Sequence, residues 1–179
     1  MRLNNLQLIN FRNYDNLHLN FKRNINLLVG KNGQGKTNIV EAIYMLSFGK
    51  SFRTNKDKEI IKFGSENLYI GGNYLKNSSK GLIEVAIGNN KKGIKVNKIH
   101  IHKIQELLGN LNVVIFSPED LMLVKEGPAL RRRYMDIELC QLSKVYYFNL
   151  QKYYKILKER NTLLKKMAKN GSLLEDTLD

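Results

Sequence analysis

Gly30-Lys31-Asn32-Gly33-Gln34-Gly35-Lys36-Thr37 decides the reading of this chain. The octapeptide fits G-x-x-x-x-G-K-[ST], the phosphate-binding loop of nucleotide hydrolases. Its glycines let consecutive backbone N–H groups turn inward around a phosphate, where side chains would block them. Lys36 is placed to reach the β- and γ-phosphates of ATP, and the Thr37 hydroxyl to hold Mg²⁺. The flanks agree. Ile25-Asn26-Leu27-Leu28-Val29 is a short apolar run that predicts a buried parallel strand. From Lys36 to Ser47, Ile39, Val40, Ile43, Tyr44 and Leu46 recur at helical spacing. Strand, loop and helix come in the order that aims a helix N-terminus, with its partial positive charge, at the phosphate. Nucleotide binding follows from this stretch; hydrolysis is a separate matter.

Outward from the loop, Leu6 and Leu8, then Leu17, Leu19 and Phe21, alternate with polar residues and predict two strands joined by a turn at Arg12-Asn13-Tyr14-Asp15. Lys56 to Ile61 reads as a short helical turn. Residues 68–97 hold three strand-like runs, Leu68 to Leu75, Leu82 to Ile87 and Gly93 to Val96, separated by Lys/Asn/Ser/Gly turns: an antiparallel meander. Ile104 to Leu108 predicts a brief helix closed by Gly109, and Leu111 to Phe116 another buried strand. Pro128 suits a first helical turn, and the pattern is helical from there on. From Val145 to about Lys169, apolar positions share an amphipathic helix with Lys152, Lys155, Lys158 and Arg160.

Composition narrows the class. The 179 residues suffice for one ordinary core, and the net charge of +14, with a pI near 9.8, favours polyanionic partners over neutral ones. A solvated lysine-rich surface is the plainer reading of the same charge. No signal peptide opens the chain, and no apolar run nears the roughly 20 residues of a spanning helix, so a soluble, cytoplasmic protein is expected. Cys140 is the one cysteine and reads as a small buried hydrophobe. His100 and His102 alternate on a strand-like run without acids at ligand spacing, which argues against a metal site. Tyr146, Tyr147, Tyr153 and Tyr154 read as a packing seam rather than a base-stacking platform. Arg131-Arg132-Arg133 and the Lys-rich turns are candidates for DNA phosphates, although no DNA-contacting residue can be singled out.

A P-loop needs a carboxylate to fix Mg²⁺ and a group to position the attacking water. Only Val113-Val114-Ile115-Phe116-Ser117-Pro118-Glu119-Asp120 could supply one, and its acids lie beyond a proline, past the strand end. Glu119 and Asp120 read as helix-initiating acids rather than metal ligands. No catalytic residue is therefore assigned in this chain.

Seven motifs in order carry a resemblance: Asn10-Phe11-Arg12-Asn13-Tyr14, the P-loop through Asn38, Glu41-Ala42-Ile43-Tyr44, Ser51-Phe52-Arg53-Thr54, Phe116-Ser117-Pro118-Glu119-Asp120-Leu121, Arg131-Arg132-Arg133-Tyr134-Met135-Asp136 and Arg160-Asn161. They resemble the N-terminal half of the bacterial RecF family, DNA-repair ATPases whose heads are similar to those of SMC and ABC proteins. The resemblance implies an α/β fold: a P-loop ATPase lobe of the ABC/SMC head type over 1–127, with an antiparallel sheet, and a helical lobe or arm over 128–179. It implies ATP and Mg²⁺ as ligands, Gly30 to Thr37 as the phosphate loop, and Arg12 and Arg53 near the nucleotide. A surface arginine that packs on the sheet or caps a turn is the alternative for both.

The resemblance further implies recombinational repair at gapped or junction DNA with RecO and RecR, promotion of RecA loading, and an ATP-dependent homodimer. Each nucleotide would lie between one subunit's P-loop and the other's signature motif. The family's Walker B and signature motifs belong to the other half, so the chain alone is expected not to turn ATP over. Without the Walker B strand, an apolar edge beside the P-loop strand is expected to lie open and to drive self-association. A non-catalytic nucleic-acid or partner-binding fragment, or another ABC-like ATPase, is the alternative.

Overall fold

Leu6 and Leu8, Leu68 and Ile70, and Ile83, Val85 and Ile87 are buried at every second position of three strands, so each strand turns one side to a common core. The computed structural model, which describes residues 1–89 and 91–170, places them in one antiparallel sheet. Its strands are β1 (Arg2–Leu3), β2 (Asn5–Phe11), β3 (Tyr14–Asn20), β4 (Asn67–Lys76), β5 (Ser79–Gly88), β6 (Lys91–Val96) and β7 (Ile99–His100). The order is β3-β2-β4-β5-β6-β7, with β1 beside β4. Registers such as Leu8↔Leu17, Leu8↔Ile70 and Ile70↔Val85 stack the apolar positions on one face. At Asn10 the backbone turns left-handed (φ 51°), which changes the parity of the strand and buries Phe11 in place of Asn10.

Helix α1 (Lys36–Phe48) lies on that face through Ile39, Ala42, Met45 and Leu46. Gly72 makes the approach possible, because a Cβ there would stand 2.4 Å from Leu46 Cδ1. A second layer forms on the other side of α1. The helices α4 (Pro128–Leu142) and α5 (Lys144–Asn170) pack Cys140, Ile137, Tyr147 and Leu150 against Tyr44, Phe48 and Leu108. The short helices α2 (Ile104–Leu107) and α3 (Met122–Lys125) and the 3₁₀ turns Asp57–Ile60 and Pro118–Leu121 complete the connections. Pro128 opens α4 at its first turn, as its missing N–H allows. Burial pushes the Cys140 thiol up, which suits a packed side chain.

Two expected strands do not form. Ile25 to Val29 has no ladder partner among the described residues, and its side chains face solvent, with Ile25 88% exposed. The apolar content is real, but a parallel strand needs neighbours on both sides to satisfy its backbone, and the described sheet ends at β3 instead. Leu111 to Phe116 is likewise outside the sheet. Leu111 is buried and Val113 and Ile115 pack on the two cores, whereas Val114 and Phe116 (80% exposed) point away. A side chain stands in for the missing strand: the buried Gln141 accepts from Val113 N–H at 2.7 Å and donates to its carbonyl at 3.1 Å. Ser47 Oγ donates to the Leu111 carbonyl at 2.7 Å and ties the same segment to α1.

The strand containing His100 stops there, so His102 lies beyond it and the two do not share a ladder face. Tyr146 and Tyr147 join the second core, and Tyr146 and Tyr154 both donate to Asp136, at 2.5 and 3.1 Å. Tyr153 and Tyr154 keep exposed rings. The apolar stripe of α5 is also open at Val145, Phe148 and Ile156.

With Ile25, Leu27, Val29, Val114 and Phe116 exposed, the chain by itself is expected to self-associate at micromolar concentration. Sedimentation velocity should show a concentration-dependent shift to larger species, weakened by the double substitution Val29→Lys and Phe116→Lys. A clean monomer at every concentration would contradict the expectation.

Candidate nucleotide site

Gly30, Gly33 and Gly35 adopt φ of 156°, 81° and 94°, and the last two lie in the left-handed region that ordinary side chains resist. Gly35 is constrained twice. It precedes the first turn of α1, and a Cβ on it would stand 2.7 Å from Asn13 Oδ1 and from the Tyr14 hydroxyl. The β2–β3 hairpin is thus pressed against the loop, and Tyr14 donates to the Gln34 carbonyl at 3.3 Å. Lys36 folds back across the loop, its Nζ donating to the carbonyls of Gly30 at 2.7 Å and Lys31 at 2.8 Å. Lys31, Asn32 and Gln34 are exposed along the rim, and Thr37 is exposed on the first helical turn. That turn carries no acidic residue, so the positive end of α1 remains available to an anion.

Behind the loop sits a group that belongs to one of the seven motifs but to which the motif pattern assigns no role. Glu41 is fully buried (0% exposed), one turn into α1. Its Oε1 accepts from Arg12 Nη2 at 2.6 Å and Ser51 Oγ at 2.5 Å, and its Oε2 from Arg12 Nε at 3.0 Å and Arg53 Nη1 at 3.2 Å. Four donors on two oxygens fill the carboxylate's accepting capacity. Burial by itself would raise the Glu41 carboxyl, but the hydrogen bonds from Arg12 and Ser51, with the charges of Arg12 and Arg53, outweigh it and hold the group below the ordinary carboxylate range.

Arg12 and Arg53, the two arginines singled out from the sequence, therefore meet on one acid, but they are used differently. Arg12 is 19% exposed and also donates from Nη1 to the Glu59 carbonyl at 2.6 Å. Its backbone is left-handed (φ 54°), a conformation these bonds hold in place. Arg53 is 43% exposed, and its Nη1 alone bridges Glu41 and Asn38 Oδ1, the latter at 2.8 Å. Asn38, next to Thr37, donates to Asn13 Oδ1 at 2.8 Å and closes the network onto the hairpin. Ser51 Oγ accepts from the backbone N–H of Arg53 and Thr54, at 2.9 and 3.2 Å, and fixes the loop that carries Arg53.

A cleft of about 1300 Å³ opens beside the P-loop rather than over its glycines. Arg12, Asn13, Asn38 and Arg53 line it, together with the lysines Lys56, Lys58, Lys62 and Lys91, the acids Asp57, Glu59 and Glu66, and Phe63. Glu119 and Asp120 lie in the 3₁₀ turn Pro118–Leu121, where Asp120 Oδ2 accepts from Ser117 N–H at 2.6 Å and Ser117 Oγ at 3.0 Å. Asp120 thus caps a turn, as an initiating acid does. Arg131 Nη1 donates to the carbonyls of Leu123 and Glu126 at the end of α3, so the first arginine of the triplet has a structural duty.

A family model described as an AAA domain matches residues 5–178, and the chain belongs to that family of P-loop proteins. Its fold is that of a RecF-type head: it superposes on a solved structure of the recombination mediator protein RecF-ATPrS in the RecFOR pathway with a TM-score of 0.88, at 40% identity over 97% of this chain and 47% of that one. A RecF-ATP structure gives 0.82 at 42% identity, over 92% and 45%. The DNA replication and repair protein RecF of Clostridioides difficile strain 630 is 62% identical over 99% of this chain and 49% of its own length. That of Clostridium botulinum (strain ATCC 19397) is 54% identical over 92% and 46%. RecF is thus the particular protein that this chain resembles along nearly all of its own length, and the chain spans about half the length of those relatives. Among the described residues, no helix is long and apolar enough to cross a membrane.

Proposed function

We propose that the chain is the ATP-binding lobe of a RecF-like recombinational repair protein. The observation that carries the reading is the P-loop itself: three glycines at positive φ, an uncompensated helix end, and the Lys36 ammonium spanning two loop carbonyls. An arriving triphosphate would take Lys36 from those carbonyls, exchanging neutral acceptors for charged ones, which bind it more strongly. The Thr37 hydroxyl would be the residue here to hold the accompanying Mg²⁺, which would supply positive charge to the phosphates. The nucleoside has room in the cleft walled by Arg12 and Arg53. The RecF-ATP and RecF-ATPrS structures support this use of the loop.

Turnover needs more than these residues provide. Glu41, the buried acid of α1, has both oxygens committed to four donors and is not placed to act as a metal ligand or base. The chain alone therefore binds ATP without steady hydrolysis, and phosphate release that Lys36→Ala abolishes would overturn that statement. Residues 1–127 are the nucleotide lobe and 128–179 the helical lobe, of which 171–179 lie outside the described residues. In the cytoplasm, the protein of which this lobe is part acts as an ATP-dependent homodimer on duplex or junction DNA, with RecO and RecR, to promote RecA loading. The net charge of +14 supports a polyanionic partner. The test is a titration of the chain with a fluorescent ATP analogue and Mg²⁺, with and without duplex DNA. Saturable binding that DNA strengthens supports the reading. Binding of DNA that is indifferent to nucleotide would favour a non-catalytic nucleic-acid-binding fragment instead.

A further inference from the structure

We propose that Glu41 is a positioning residue for nucleotide binding, holding Arg53 at the wall of the cleft beside the first turn of α1; this rests on the ATP-binding reading of the P-loop. Arg53 and Arg12 carry two positive charges against the single negative charge of Glu41, so the cluster keeps one net positive charge behind the loop. Without the carboxylate, two guanidinium groups and the Ser51 hydroxyl would face one another as donors without an acceptor. The loop 51–54 would then lose the Ser51 and Arg53 bonds to Glu41, keeping the Arg53–Asn38 bond and the Phe52 ring on Tyr44 as its ties to α1. The division of labour between the arginines follows from their exposure and bonding. Arg12 commits three nitrogens and forms a fixed wall. Among the described residues Arg53 commits only Nη1 of its side-chain nitrogens, is partly exposed, and is tied directly to Asn38, the residue after Thr37. Movement at the phosphate site therefore reaches Arg53 by one side chain, and Glu41 sets the place from which it starts.

Substitution Glu41→Gln isolates this role. The amide keeps the volume but turns two N–H donors toward groups that are themselves donors. In the whole chain, affinity for a fluorescent ATP analogue with Mg²⁺ is expected to fall about tenfold in Glu41→Gln, which corresponds to about 1.4 kcal/mol. Arg53→Gln should lower it by a similar factor, and the double variant should be little worse than either single one, because both remove the same positioned guanidinium. A purely structural role would lower the melting temperature and leave the affinity of the folded protein unchanged. Losses that multiply in the double variant, or a folded Glu41→Gln protein with unaltered affinity, overturn the proposal while leaving the ATP reading intact. A wild-type chain that binds no analogue sinks both. Should Glu41→Gln melt below the assay temperature, Ser51→Ala decides in its place. It removes one of the four donors, leaves the carboxylate charged, and should weaken analogue binding severalfold; unchanged affinity there also overturns the proposal.

Discussion

Glu41→Ala is expected to destabilise the chain by about 3–5 kcal/mol, the usual cost of removing one partner from a buried ion pair. Most of that cost is the stranding of what remains. Arg12, in a left-handed conformation and only 19% exposed, loses both of its bonds to the acid, while Ser51 loses the acceptor that turns its loop. Urea unfolding at neutral pH should show the loss as a lower midpoint. The pH dependence has a definite sign. Because the folded Glu41 carboxyl lies below its unfolded value, near 4.3 for a glutamate, its stabilisation is complete above that value and drains away as pH falls through the lower folded one. Wild type should therefore lose stability more steeply than Glu41→Ala in that acidic window, and the gap between the two curves should narrow toward its lower end. Parallel curves would mean that the carboxylate contributes nothing by its charge.

Lys36→Ala should act on the ligand and not on the fold. The side chain donates only to two carbonyls of its own loop at the surface, so stability should change by less than about 1 kcal/mol. Nucleotide affinity should fall by about 100-fold, since two charge-assisted bonds to phosphate, each worth about 1.5–3 kcal/mol, would be lost and only partly replaced by water. Paired melting curves and analogue titrations separate the two effects. A variant that melts early and binds normally would reverse the assignment.

The two predictions mark what the sequence could and could not convey. Lys36 is legible because the P-loop is contiguous: eight residues specify their own backbone and their own ligand. The hairpin, the meander and the helices of the C-terminal region were legible for the same reason, each resting on a local period of two or 3.6 residues. Glu41 was not, because its meaning lies in partners at residues 12, 51 and 53, brought together by the sheet and the loop after α1. One signal was present. Glu41, Met45 and Phe48 stand at i, i+4 and i+7 on α1, so an acid occupies a stripe whose other members are buried. Such an acid needs cations, and Arg12 and Arg53 are the two that the resemblance places near the nucleotide.

The two segments that stay out of the sheet show the opposite case. Ile25 to Val29 and Leu111 to Phe116 have the composition of buried strands, and composition reports what a segment would bury, not what lies beside it. In the first, no partner is present among the described residues; in the second, Gln141 supplies the strand-like hydrogen bonds from a helix. A side-chain amide ninety-four positions from Ser47, to which it is also joined, leaves no trace in any local window.

If the P-loop is where this chain takes ATP, isothermal titration of Mg²⁺–ATP into the chain should show it. Wild type is expected to bind saturably and one-to-one, and Lys36→Ala not to bind at the same concentrations. Heats indistinguishable from dilution at millimolar ATP, or identical isotherms for the two proteins, would contradict it.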